Sequence, residues 1–130
     1  MIEPKYDWWG YVLQMVREYP ARRKEYTGRE LTEAEKRTQE YREYIAVKEA
    51  HEITSMYPQG KIRLEVVRLT EWQGHASLKG AASLLYISGR TARRYRWQFL
   101  LLVGYRYGYI SPDAYYAELK RDNPGRPRKR

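Results

Sequence analysis

The sequence predicts an all-α protein in which N-terminal helices precede a C-terminal three-helix helix-turn-helix unit and a disordered basic tail. Three observations support this prediction. Apolar residues recur at the three- and four-residue spacing of helices along most of the 130 residues. Serines stand where two successive C-terminal helices should begin. The end of the chain combines prolines with many lysines and arginines, a composition that does not build a core.

The N-terminal region, residues 1–58, contains two predicted helices. An apolar stripe at helical spacing precedes Pro20, which is expected to end the first helix. The second helix is expected from about Thr32 to Ser55, because TEAE at its start has the form of a capping box. Its apolar positions are few and rich in tyrosine, so it either lies on the core of its own chain or packs against a second copy. We assign the region to packing and oligomerisation. The stripe of the first helix consists of Trp8, Val12, Met15, Val16 and Tyr19.

The second region, residues 61–110, has the layout of a helix-turn-helix unit. An amphipathic helix is expected to end near Trp72, and Ser77 is the expected N-cap of a short helix that follows. Ser88 is the expected N-cap of a longer helix, after a turn of about three residues, as in helix-turn-helix proteins. Tyr86 stands in this turn, where many such motifs have a glycine in the left-handed conformation.

The segment SGRTARRY, residues 88–95, begins the last of these helices. At 100° per residue, the arginines at positions 90, 93 and 94 lie opposite or beside the inward face that starts at Ala92. The same rotation places Trp97 on the outward face. A guanidinium group at the exposed start of such a helix can bridge O6 and N7 of guanine or bind phosphate. The alternative is a solvated basic face that binds nothing.

The net charge of +9 lies entirely in the second half of the chain. Residues 1–60 hold 10 Lys+Arg and 11 Asp+Glu, whereas residues 61–130 hold 15 and 5. Such a field attracts polyanions, so nucleic acid is the first candidate partner and an anionic membrane is the second. We expect no membrane binding, because no basic segment has a separate apolar face, no apolar run reaches the roughly 20 residues of a membrane span, and the start lacks a signal-peptide pattern.

The tail, residues 120–130, is predicted to be a disordered basic arm, because Pro124 and Pro127 prevent a helix and the segment lacks strongly apolar residues. Such an arm can bind phosphate. The complete set of residues predicted to face DNA is Ser88, Arg90, Thr91, Arg93, Arg94, Trp97 and Lys79 in the helix-turn-helix unit, with Arg126 and Arg128 in the tail.

Catalysis is not expected. The chain has no cysteine and two distant histidines, so it offers no thiolate or His-x-x-x-His metal site. The carboxylates of the second half are scattered among basic residues, and no phosphate-binding loop of the G-x-x-x-x-G-K-[ST] type occurs. We therefore predict a protein that is not an enzyme, without metal or other cofactor. The absence of cysteine suits a reducing cytoplasm.

From about Ile62 to Ile110, the sequence resembles the C-terminal half of phage late-gene transcriptional regulators of the RinA/ArpU type. The resemblance is carried by LTEW and by SLKGAASLLYISGRTARRYRWQFLLLVGYRYGYI, above all by IS-x-x-T-x-R-R-Y. It implies a double-stranded DNA-binding activator of packaging and structural genes, in the cytoplasm of a bacterial host, with host RNA polymerase as a further expected partner. TARRY matches the TVRRW/Y helix of the family, so Thr91, Arg93 and Arg94 would be DNA-facing positions. Ala92 stands in place of the usual valine.

A phage small terminase subunit, which recognises the packaging site, is the alternative function. Both kinds of protein use a helix-turn-helix and form homo-oligomers, and we favour a dimer. Small terminases usually place the DNA-binding helices first, whereas here the basic unit follows the neutral helices, which favours the regulator. The 14 tyrosines and four tryptophans could also stack on single-stranded bases, but their helical spacing favours packing in the core and at interfaces.

Overall fold

The computed structural model describes residues 6–73 and 76–121, and all regular structure in these ranges is helical, which confirms the predicted all-α class. A π-helical turn, Arg68–Trp72, continues the fourth helix. The helices are α1 (Trp9–Tyr26), α2 (Glu33–Lys36), α3 (Gln39–Ser55), α4 (Gly60–Val67), α5 (Leu78–Leu85), α6 (Gly89–Tyr107) and α7 (Pro112–Leu119).

Helix α6 is the centre of the fold, because α1, α3, α4, α5 and α7 all contact it. Five consecutive apolar residues, 99–103, cover every face of one of its turns, and all five are buried within the single chain. Helix α3 packs on α6 and α1, so it lies on the core of its own chain, with Val47 fully buried. One hydrophobic core contains residues of α1 and α3 together with residues 99–103 of α6, so the N-terminal region packs against the helix-turn-helix region.

The prediction that Pro20 ends the first helix is wrong, since α1 continues through it to Tyr26. Proline lacks an N–H group, so the carbonyl of Val16, four residues earlier, has no partner within the helix. The indole Nε1–H of Trp72 donates to this carbonyl over 2.6 Å. A side chain from the second half of the sequence thus satisfies the backbone group that the proline leaves free.

We expect Trp72→Phe to lower the free energy of unfolding by about 1–3 kcal/mol, because it leaves a buried carbonyl without a donor. In a Pro20→Ala background the new N–H at position 20 can donate to the same carbonyl, so the Trp72→Phe cost should shrink. Urea unfolding of the four proteins in this double-mutant cycle measures the difference. Equal costs in both backgrounds would show that the indole does not substitute for the missing helical hydrogen bond.

The single helix predicted from Thr32 to Ser55 is interrupted, which corrects that prediction. The capping box is present: Thr32 Oγ1 accepts from the Glu35 N–H over 3.1 Å, and the Thr32 N–H donates to Glu35 Oε1 over 3.0 Å. The helix that it begins ends after four residues. Thr38 then adopts an extended conformation and caps α3 by accepting from the Tyr41 N–H, because a threonine side chain can offer the backbone an N-cap in place of a continuous helix.

Helix α7 was not predicted from the sequence. Ser111 Oγ accepts from the Ala114 N–H over 3.2 Å, and Pro112 occupies the first helical position, where a missing N–H costs nothing. Tyr115 is buried and stacks on Tyr105 with 4.4 Å between ring centroids. Lys120 caps the end of α7, so the predicted tail starts within this helix terminus. Residues 122–130, with Arg126 and Arg128, lie outside the described residues.

Candidate nucleic-acid interface

The helices α4, α5 and α6 meet around a small core of Val66, Ala82 and Ala92. Small side chains at this crossing allow the helix backbones to approach, as predicted for Ala82. Both predicted serine caps are confirmed: Ser77 Oγ accepts from the Gly80 N–H, and Ser88 Oγ accepts from the Thr91 N–H, each over 3.0 Å. These contacts fix the start of α5 and the start of α6 relative to the turn between them.

The turn between α5 and α6 is a left-handed helix terminus. Tyr86 has φ 57° and ψ 41°, a conformation that usually favours glycine. The Ile87 N–H donates to the Ala82 carbonyl over 3.0 Å, and the Tyr86 N–H donates to the Ser83 carbonyl over 3.4 Å. This pair of bonds is the Schellman arrangement, in which the left-handed residue closes the helix. Tyr86 therefore adopts the left-handed conformation that a glycine has at this place in many helix-turn-helix turns.

The start of α6 carries three exposed arginines, Arg90, Arg93 and Arg94, and Lys79 is exposed on α5. None of the four forms an ion pair with a carboxylate in the described part of the chain. The sequence contains no Asp or Glu between Glu71 and Asp113, so no acidic residue of that stretch neutralises them. The surface formed by these four side chains, here named the basic face, keeps its positive charge.

Arg96, on the same helix, has a different environment. Its Nε donates to Glu71 Oε2 over 2.9 Å, and the Arg17 Nε donates to Glu71 Oε1 over 3.0 Å. Burial favours a raised pKa for the Glu71 carboxyl, but Arg96 and Arg17 outweigh it and hold the pKa below its ordinary value. This buried carboxylate joins α1, the π-helical turn and α6. In the sequence, only its position in LTEW distinguishes Glu71 from the other acidic residues of the second half.

Ser88 and Thr91 are partly committed to the helix cap. Besides accepting the Thr91 N–H, Ser88 Oγ donates to Thr91 Oγ1 over 2.8 Å. Ser88 is exposed and Thr91 is half-buried, so both lie beside the basic face. Their predicted contact with DNA stays a prediction, as does that of the four basic residues.

The prediction that Trp97 faces outward with the arginines is wrong. Trp97 is 6% exposed, and its ring stacks on Trp9 with 5.3 Å between centroids. The outward face of α6 is open only in its first turns, because the start of α1 covers the helix further along. There Trp8 lies so close to Gly104 that a Cβ on this glycine would be 2.6 Å from Trp8 Cζ3. Trp97 is a core residue and does not belong to the basic face.

His51, one of the two histidines of the chain, lies on α3. Its half-buried ring contacts the rings of Tyr19 and Trp72, with centroids 6.3 and 6.1 Å away. Burial, together with the charge of Arg23, lowers the pKa of this imidazole. Among residues 6–73 and 76–121 there is no group of three or more His, Asp or Glu side chains placed to hold a metal ion. In the same ranges no helix has the length and apolar character needed to cross a membrane.

Comparisons with known proteins identified no relative of this chain. No model of a protein family matches the chain, and searches of curated proteins and of solved structures found no match. The interpretation of the basic face therefore rests on its own geometry and charge.

Proposed function

We propose that this protein binds double-stranded DNA sequence-specifically, with α6 as the recognition helix. The observation that supports the proposal is the basic face: Arg90, Arg93 and Arg94 project from the capped start of α6 beside a short crossing helix, and no carboxylate of the described residues pairs with them. In helix-turn-helix proteins this part of the second helix enters the major groove. Arginine suits that position because its guanidinium group can pair with guanine or hold phosphate.

The finer proposal is a phage or prophage regulator that activates late genes. It follows from the resemblance of TARRY and its surroundings to the RinA/ArpU type of regulator. Under this proposal the protein acts in the cytoplasm of a bacterial host, binds DNA as a dimer and contacts host RNA polymerase. The basic tail, with Arg126 and Arg128, would add sequence-independent contacts to phosphate.

Selection from a pool of random duplexes tests the proposal directly. The protein should enrich a defined duplex sequence over several rounds at physiological salt, because base contacts add to the charge attraction common to all duplexes. Single-stranded competitor of the same sequences should displace the selected duplex poorly. Recovery of random sequences after selection, or preference for the single strands, would contradict the proposal.

The mass of the protein in solution tests the oligomer that the regulator needs. We expect a dimer, formed without residues 99–103, since the single chain buries that ring. Light scattering at several concentrations measures the mass. A large ring of many copies would contradict the regulator and favour the small terminase subunit, because a packaging protein assembles as a ring around or beside DNA.

A further inference from the structure

Tyr86 occupies a place that the fold alone would give to glycine or asparagine. Its left-handed backbone is unfavourable for a residue with a Cβ atom, and the Schellman turn that it closes is usually completed by glycine. The side chain of Tyr86 does not compensate by packing, because it is 96% exposed and its ring contacts no other aromatic ring in the described residues. The energetic cost and the exposure together point to a contact outside the chain.

The position of Tyr86 limits what that contact can be. Tyr86 and Arg90 are four residues apart, so their Cα atoms lie within about 14 Å of each other. A major groove is about 12 Å wide. When the first turns of α6 lie in the groove, a residue this close to Arg90 lies within reach of one of the two bordering strands. The exposed ring of Tyr86 is then available to the sugar-phosphate backbone.

We propose that Tyr86 is a DNA-contacting residue that grips the strand bordering the groove, an inference that rests on the proposed function. The phenol O–H donates to a phosphate oxygen, and the ring packs against deoxyribose; tyrosine is one of the side chains that make such contacts. The surroundings fit a polyanion, because Arg90, Arg93 and Arg94 follow the turn in the first turns of α6 and no carboxylate occurs between Glu71 and Asp113. The contact positions the recognition helix without reading a base.

Tyr86→Gly separates this contact from the stability of the fold. The variant should melt at or above the temperature of the wild-type protein, since glycine adopts the left-handed conformation freely. Its affinity for the selected duplex should nevertheless fall about fivefold, as expected for one lost hydrogen bond with its packing. Tyr86→Phe, which keeps the ring, should lose less. The matched control is Tyr11→Ala on α1, where a tyrosine is 67% exposed away from the turn, and its affinity should not change.

Cross-linking tests whether the contact is direct. The chain has no cysteine, so Tyr86→Cys creates a single attachment point for a photoreactive benzophenone. The labelled protein should cross-link to duplex DNA, and the same label introduced by Tyr11→Cys should not. Wild-type protein that fails to bind any duplex overturns both the proposed function and this inference. Duplex binding that is weakened by Arg93→Ala but not by Tyr86→Gly, with no cross-link from position 86, overturns this inference alone and leaves the turn free for a protein partner.

Discussion

Glu71→Gln should lower the free energy of unfolding by about 3 kcal/mol at pH 7, the lower end of the range for breaking a buried ion pair. The side chain of Glu71 is 3% exposed and that of Arg96 is 15% exposed, so the substitution leaves a positive charge in the core. The lower end applies because the other partner, Arg17, is largely in solvent. Urea denaturation of both proteins measures the difference.

The lowered pKa of Glu71 also predicts how the free energy of unfolding changes in acid. The folded-state pKa of Glu71 is lower than the unfolded value of about 4.5, so the carboxylate stabilises the native state fully above that value and progressively less as the pH falls through the folded-state pKa. The stability difference between the wild-type and Glu71→Gln proteins should therefore close in acid. Glu65→Gln is the control, since Glu65 pairs with Arg68 at the surface and its loss should cost less than about 1 kcal/mol. Equal losses at both sites would show that burial does not strengthen the Glu71 pairs.

Arg93→Ala combined with Arg94→Ala should reduce affinity for the selected duplex by about 2–6 kcal/mol, if each arginine makes a base contact worth roughly 1–3 kcal/mol. Both side chains are exposed and form no ion pair within the described part of the chain, so the double variant should unfold at the same denaturant concentration as the wild-type protein. Fluorescence anisotropy with a labelled duplex measures affinity, and urea unfolding monitors the fold.

Arg106→Ala is the matched control for this loss. Arg106 lies at the far end of the same helix and pairs with Glu49 over 3.2 Å, so its removal changes the net charge without touching the basic face. Its effect on duplex affinity should be small. An effect of Arg106→Ala as large as that of an arginine at the start of α6 would mean that net charge, rather than position, determines binding.

Local signals made much of the fold predictable from the sequence. Ser77 and Ser88 were predictable as N-caps because a serine hydroxyl oxygen can accept from a free N–H group in the first turn of the helix that follows. The apolar spacing of α1 identified the buried side of that helix correctly. Ser111 followed by Pro112 is an equally good start signal, and it marks α7. It was missed because the segment is short and its apolar residues are two alanines, two tyrosines and a single leucine.

Tertiary contacts determined the rest, and no local pattern contains them. Pro20 lies inside α1 because Trp72, 52 positions later in the sequence, supplies the donor for the free carbonyl of Val16. Trp97 has the rotation of an outward residue, yet the start of α1 covers it. Glu71 gains its role only when α1 and α6 bring Arg17 and Arg96 to it. At the candidate site, the exposure of the arginines was predictable from helical rotation, whereas the pairing of Arg96 was not.

The ratio of affinities for the selected duplex and for an unrelated duplex, measured at one salt concentration, tests most directly whether the start of α6 reads bases. Phosphate contacts contribute equally to both affinities, whereas base contacts contribute to the first alone. We predict a ratio well above one for the wild-type protein, and a ratio near one for the variant with Arg93→Ala and Arg94→Ala, which should still bind all duplexes weakly. A variant that binds less tightly but keeps the wild-type ratio would contradict the assignment of α6 as the recognition helix.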